Sequence, residues 1–227
     1  MTICPLFCML LSEIRSRKKV FIIRSIIFDV DGTLWDTTEV VAKAWNKAIS
    51  EVGGTAAVVS AAVLKKEFGK TMKVIADDLF YDADEKTKVL LMEKCCEYEH
   101  KALEENTDNL LFPDVVETIK KLSEKYRLFI VSNCQVGYIE LFMKKAGVEP
   151  FIKDWECFGN TGKVKGDSIK LLVERNNLTD VVYVGDTQGD YEATQIAQIP
   201  FIFAKYGFGY VENCERAISG IKELLDL

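Results

Sequence analysis

The segment Ser25-Ile26-Ile27-Phe28-Asp29-Val30-Asp31-Gly32-Thr33-Leu34 opens as an unbroken apolar run and ends in two alternating aspartates and a glycine. A short continuous run of this kind suits a strand of a parallel sheet, buried on both faces. Alternation along a strand lets Asp29 and Asp31 lean to one side of it, and Gly32 permits a tight turn beyond. Asp and Gly both favour turns, which accounts for Asp31-Gly32 but not for Asp29. Two neighbouring carboxylates repel, and burial makes that repulsion more costly, so the pair calls for a cation or a shared proton. A hard, oxygen-preferring ion such as Mg²⁺ answers that need.

Working outward, three further apolar runs read as buried strands: Leu128–Ser132, Val181–Gly185 and Pro200–Phe203. Helical stripes separate them over Asp114–Lys125, Gly137–Ala146, Asp167–Asn177, Tyr191–Ala197 and Glu215–Leu225. Strands alternating with helices predict an open α/β sheet. The stretch 37–110 breaks the alternation. It carries a helical stripe of Val41, Trp45, Ala48 and Val52, with Asp36 and Glu39 in the form of a capping box. Helical patterns over Val63–Phe68, Met72–Phe80 and Glu85–Asn106 follow. The expected organisation is an N-terminal arm (1–24), an α/β core (25–36 and 111–227) and an all-helical insertion (37–110).

A second acidic pair stands in Gly185-Asp186-Thr187-Gln188-Gly189-Asp190, directly after a strand. In a doubly wound sheet ligands bind at the carboxyl ends of strands, which would bring the two pairs to one rim. A helix cap explains Asp190 well and Asp186 badly. Ser132-Asn133 also ends a strand, where a hydroxyl and a backbone N–H suit a phosphate oxygen. In Lys163-Val164-Lys165-Gly166-Asp167 either lysine can serve as a point charge on phosphate, and Lys165 lies better against the helix start. Trp35, Trp45 and Trp155 read as packing, and Cys95-Cys96 as one core thiol and one partly exposed.

Taken in order, Asp-x-Asp-Gly-Thr, Ser-Asn, Lys and Gly-Asp-x₃-Asp resemble the motifs of the haloacid dehalogenase-like hydrolase superfamily, in its branch of phosphoglycolate phosphatase and β-phosphoglucomutase relatives. The resemblance covers Ile26 to Ile221. It implies a Rossmann-like parallel sheet whose inserted helices form a cap. Asp29 would be the nucleophile that forms an aspartyl-phosphate, and Asp31 the acid and base. Mg²⁺ would be held by Asp29, the Asp31 carbonyl and Asp186, with Asp190 close behind. Ser132 and Lys165 would bind the phosphoryl group with the backbone N–H groups of Gly32 and Asn133. Dehalogenating members lack an acid at the position of Asp31, so phosphate chemistry is favoured over dehalogenation. Gly69-Lys70-Thr71 resembles a loop that relatives point into the active site, where Lys70 would meet a substrate carboxylate or second phosphate. A phosphomutase would use the same residues, and a phospho-receiver domain also clusters aspartates with a lysine. Receivers are shorter and lack the insertion.

Composition narrows the function classes. Of 227 residues 48% are hydrophobic and 28% charged, enough to fill a core. With 29 Lys plus Arg against 35 Asp plus Glu, the net charge of −6 disfavours nucleic acid, whose phosphates are neutralised by basic side chains. Seven cysteines without a CxxC pair read as thiols of a reducing, cytoplasmic setting. Pro5–Leu11 is too short to span a bilayer, and its basic cluster follows the apolar run, the reverse of a signal peptide. An added arm or a mis-called start is expected there. The expected partner is a small phosphorylated substrate, with no membrane, the protein being a monomer or weak dimer.

Overall fold

A computed structural model of the chain describes residues 22–212 and 214–227; all but the last three residues of the N-terminal arm lie outside the described residues. Six strands, β1 (Ser25–Phe28), β2 (Arg127–Ser132), β3 (Ile152–Cys157), β4 (Val181–Gly185), β5 (Phe201–Ala204) and β6 (Ala217–Ile218), form one sheet in the order β3-β2-β1-β4-β5-β6. All pairings are parallel. The apolar run of β1 serves both faces at once. Ile26 and Phe28 join one buried cluster with Val115, Ile119 and Leu122. Ile27 joins the other with Phe129, Tyr183, Ile169 and Leu172. A strand covered twice needs no polar alternation, which is why its sequence is continuous.

Four helices lie between β1 and β2: α1 (Thr38–Val52), α2 (Ala61–Glu67), α3 (Met72–Leu79) and α4 (Glu85–Glu105). The chain leaves and re-enters the sheet by two segments running side by side, with Asp36 N donating to Leu110 O at 2.8 Å and Phe112 N to Leu34 O at 3.1 Å. After α5 (Val115–Ser123), the remaining helices α6 (Tyr138–Ala146), α7 (Phe158–Thr161), α8 (Lys165–Arg175) and α9 (Gln188–Ala197) fill the crossovers. Among the described residues no helix is long and apolar enough to cross a membrane, and the five described cysteines are free.

Three expectations need correction. The helix expected over Glu215–Leu225 is instead β6 followed by a 3₁₀ segment, Ile221–Asp226. Gly220 interrupts the run, and the two buried residues of the 3₁₀ segment, Ile221 and Leu224, stand three apart, the 3₁₀ period. The capping box at Asp36 and Glu39 does not form. Thr37 occupies the cap, and Asp36 turns back to accept from Thr38 N at 3.0 Å and to pair with Lys65 at 2.8 Å. Edge strands β3 and β6 go beyond the four strands expected, because an edge strand carries polar residues such as Lys153, Asp154 and Glu156.

Candidate active site

Register brings the acidic segments together. Phe28 is level with Ile130 and with Val184 across the two ladders, so Asp29, Ser132 and Asp186 leave their strands at one rim. Asp29 is held there by its N–H, which donates to Val184 O at 2.9 Å. Lys165 is the first residue of α8, and its ammonium donates to Asp29 Oδ1 at 2.9 Å and to Asp190 Oδ1 at 2.6 Å. Asp186 accepts from Thr33 Oγ1 at 3.2 Å and from Phe208 N at 2.7 Å. Asp190 is the third residue of α9 in a capping box with Thr187. Its Oδ2 also accepts from Asp186 N at 3.1 Å, so one side chain both caps the helix and faces Lys165.

Of these three buried carboxylates, Asp29 and Asp190 share one buried ammonium. Burial pushes Asp29 and Asp186 upward, and Lys165 pulls Asp29 back down. Burial alone would lower Lys165, but Asp190 and Asp29 outweigh it and hold it firmly charged. Oxygen atoms of Asp29, Asp186 and Asp190 all lie within 4.8 Å of one another, and Asp29 Oδ2 is buried without a hydrogen-bond partner among the described residues. An excess of negative charge and a donor set made only of oxygen fit a hard divalent cation. The rim is also packed too closely for side chains at its glycines. Gly32 has φ +80°, and a Cβ there would stand 2.2 Å from Asp186 Oδ2.

Asp31 faces the helical insertion. Its Oδ1 accepts from Tyr138 at 2.6 Å, Trp35 Nε1 at 3.1 Å and Thr37 at 3.3 Å, which leaves Oδ2 without a donor among the described residues. Burial pushes this carboxyl up to about 8, against the opposing pull of Tyr138. Asp31, Ser132, Asn133 and Lys70 line a pocket of about 30 Å³ beneath α3 and α4. Asn133 donates to Gly69 O at 2.8 Å, tying the rim to the insertion, and its Oδ1 is buried and has no partner among the described residues.

Two lysines end up differently placed. Lys163 is exposed, away from the carboxylates that Lys165 meets. Lys70 reaches the pocket, but its ammonium is already bonded to Glu67 and Asp78, both at 2.8 Å. Trp155 is partly buried, as packing alone would have it, whereas Trp35 and Trp45 are buried and direct their N–H groups to acids of the pocket.

Sequence reasoning missed Thr37, Gln135, Tyr138, Phe208 and Glu99, and the side chains of the first four carry no distinguishing local pattern. Glu99 does: Leu91, Cys95, Glu99 and Leu103 recur at every fourth residue of α4 and are all buried, so one acid interrupts an apolar stripe. Glu99 accepts from Trp45 Nε1 at 2.7 Å and from Gln135 Nε2 at 2.8 Å. Burial pushes it up to about 7 despite those two donors.

With this geometry in place, comparison with known proteins gives three findings. The family model for haloacid dehalogenase-like hydrolase matches residues 26–204. The phosphoglycolate phosphatase of Yersinia pestis is 26% identical over 200 residues, covering 84% of each chain. Two crystal structures share the fold: a predicted phosphoglycolate phosphatase from Haemophilus somnus 129pt, with TM-score 0.79 at 20% identity over 90% of this chain and 97% of that one, and CbbY from Rhodobacter sphaeroides in complex with phosphate, with TM-score 0.77 at 18% identity over 91% and 100%.

Proposed function

The chain belongs to the haloacid dehalogenase-like hydrolase family, and we propose that within it this protein is a Mg²⁺-dependent phosphatase of a small phosphorylated metabolite, similar to the phosphoglycolate phosphatases. The observation that carries this reading is Asp29 Oδ2, a buried carboxylate oxygen with no partner among the described residues. Its sister oxygen is fixed by Lys165. An interior acid is left unpaired only at a cost in stability, and a nucleophile must be left so.

In this reading Asp29 Oδ2 attacks phosphorus, and the bond from phosphorus to the ester oxygen breaks. Asp31 Oδ2 gives that oxygen its proton. Asp31, now a base, takes a proton from water as the water attacks the aspartyl-phosphate, which frees phosphate and restores Asp29. One acid–base group serves both steps. Its orientation is set by Tyr138, Trp35 and Thr37, which all hold the other oxygen. Lys165, Ser132 and the backbone N–H groups of Gly32 and Asn133 would hold the phosphoryl oxygens, a task of alignment and charge neutralisation. Asp29, Asp186 and the Asp31 carbonyl would hold Mg²⁺, with Asp190 behind them. When bound, the ion supplies positive charge that offsets the phosphate's and lets it approach a carboxylate. Residues 37–110 would serve as a cap that covers the site during turnover.

Phosphate release from a panel of small esters, with Mg²⁺ and with EDTA, tests the reading beside an Asp29→Asn control. Release is expected only with metal, and its loss in the variant should be on the order of a thousandfold or more. No release from any ester would refute it.

A further inference from the structure

The pocket that Asp31 and Ser132 line carries a second acid, Glu99, on its wall. Glu99 is 3% exposed and lines the pocket, yet among the described residues it forms no ion pair with a lysine or arginine. A carboxyl buried without a cation is costly, and its place in the apolar stripe of α4 would accept a leucine. Its two partners also fix its character. Trp45 Nε1 can only donate, so Oε2 is an acceptor, and the amide N–H of Gln135 makes Oε1 an acceptor as well. Each oxygen has a second lone pair left over. Among the described residues nothing accepts the second N–H of the Gln135 amide. The wall therefore offers acceptors beside one donor. A hydroxyl satisfies both, because it donates and accepts; an ammonium has no lone pair for Gln135, and a carboxylate has no hydrogen to give Glu99. Lys70, the only lysine or arginine among the described residues lining this pocket, is engaged by Glu67 and Asp78.

Resting on the phosphatase reading above, we propose that Glu99, oriented by Gln135 and Trp45, is a specificity-determining residue that selects phosphate monoesters whose leaving group bears a hydroxyl over those bearing a carboxylate. The substrate class is a phosphorylated polyol or sugar. Phosphoglycolate, despite the names of the relatives, is then a poor substrate.

A matched pair of esters tests this: 2-hydroxyethyl phosphate and 2-phosphoglycolate differ only in a CH₂OH against a carboxylate. Values of kcat/KM with Mg²⁺ are measured for both, with p-nitrophenyl phosphate as a generic ester. The full-length wild type should prefer the hydroxyl ester at least tenfold, the scale set by a single buried hydrogen bond. In Glu99→Gln, of equal size, that ratio should shrink about tenfold, mainly through KM. A ratio unmoved in Glu99→Gln while both esters slow together would mean that Glu99 only joins α4 to α1, and would overturn the proposal. So would a wild type that prefers phosphoglycolate, an outcome that needs no variant to fold. Hydrolysis of none of the three esters would instead sink the phosphatase reading and this one with it, and is thereby told apart from a failure of specificity alone.

Discussion

Lys165 illustrates how one residue can be both structural and chemical. Its ammonium is the single positive charge between Asp29 and Asp190, and all three side chains are at most 4% exposed. Removing one partner of a buried ion cluster typically costs about 3–5 kcal/mol, because the charges left behind stay desolvated. Lys165→Met should therefore lower the urea midpoint markedly in EDTA, and added Mg²⁺ should restore part of the loss by supplying the missing charge beside Asp29. Equilibrium unfolding followed by circular dichroism, with and without the ion, measures both effects. An unchanged midpoint in EDTA would show that the cluster does not depend on the lysine. The same residue shows how far composition alone reaches: Lys163 and Lys165 are alike in type and two apart in sequence. Only the start of α8 decides which one is carried into the interior.

At the scale of elements, the central strands were legible and the edges were not. β1, β2, β4 and β5 are covered on both faces, so burial alone writes them as apolar runs. β3 is an edge, and its Asp154 and Glu156 are held by Arg175 of α8, a tertiary pairing that leaves no local periodicity. The site divides in the same way. Asp29, Asp31, Ser132, Asp186 and Lys165 sit where strands end or helices begin, and spacing finds them. Phe208 contributes a backbone N–H to Asp186, for which no side chain is diagnostic. The nearest signal is the glycine on either side of it, since a Cβ at Gly207 would fall 2.3 Å from Asp186 Cβ. The start of α9 carries a prediction of its own. Thr187 Oγ1 accepts from Asp190 N at 3.1 Å and stands 2.7 Å from Asp190 Oδ2. Thr187→Ala should destabilise the protein by about 1 kcal/mol, as lost caps do, whereas Thr187→Ser should keep most of the stability. A denaturant titration of the pair separates the hydroxyl from the methyl, and equal losses in both would refute the cap's part.

For the whole molecule, the volume of the pocket sets a requirement. About 30 Å³ admits roughly two water molecules, far less than a phosphate ester, so in the proposed phosphatase the helical insertion must move for substrate to enter. The contacts that would have to part include the ion pair of Lys65 with Asp36. Gly69 O accepts from Asn133, Glu99 from Gln135, and Phe68 lies against Phe208 at 6.4 Å between ring centroids. The pivot would be the pair of adjacent crossing segments, joined by the bridge between Trp35 and Leu111. Regions held by few buried contacts open at low free energy and exchange their amide hydrogens first. In hydrogen exchange read by mass spectrometry, residues 65–72 should therefore exchange much faster than β1 and β4 in the free protein. Adding Mg²⁺ with orthovanadate, a mimic of the transferring phosphoryl group, should slow exchange in residues 65–72 severalfold and leave the strands unchanged. Protection of that loop as complete as the strands' before any ligand is added would mean that the insertion does not open there, and that substrate reaches Asp29 by another route.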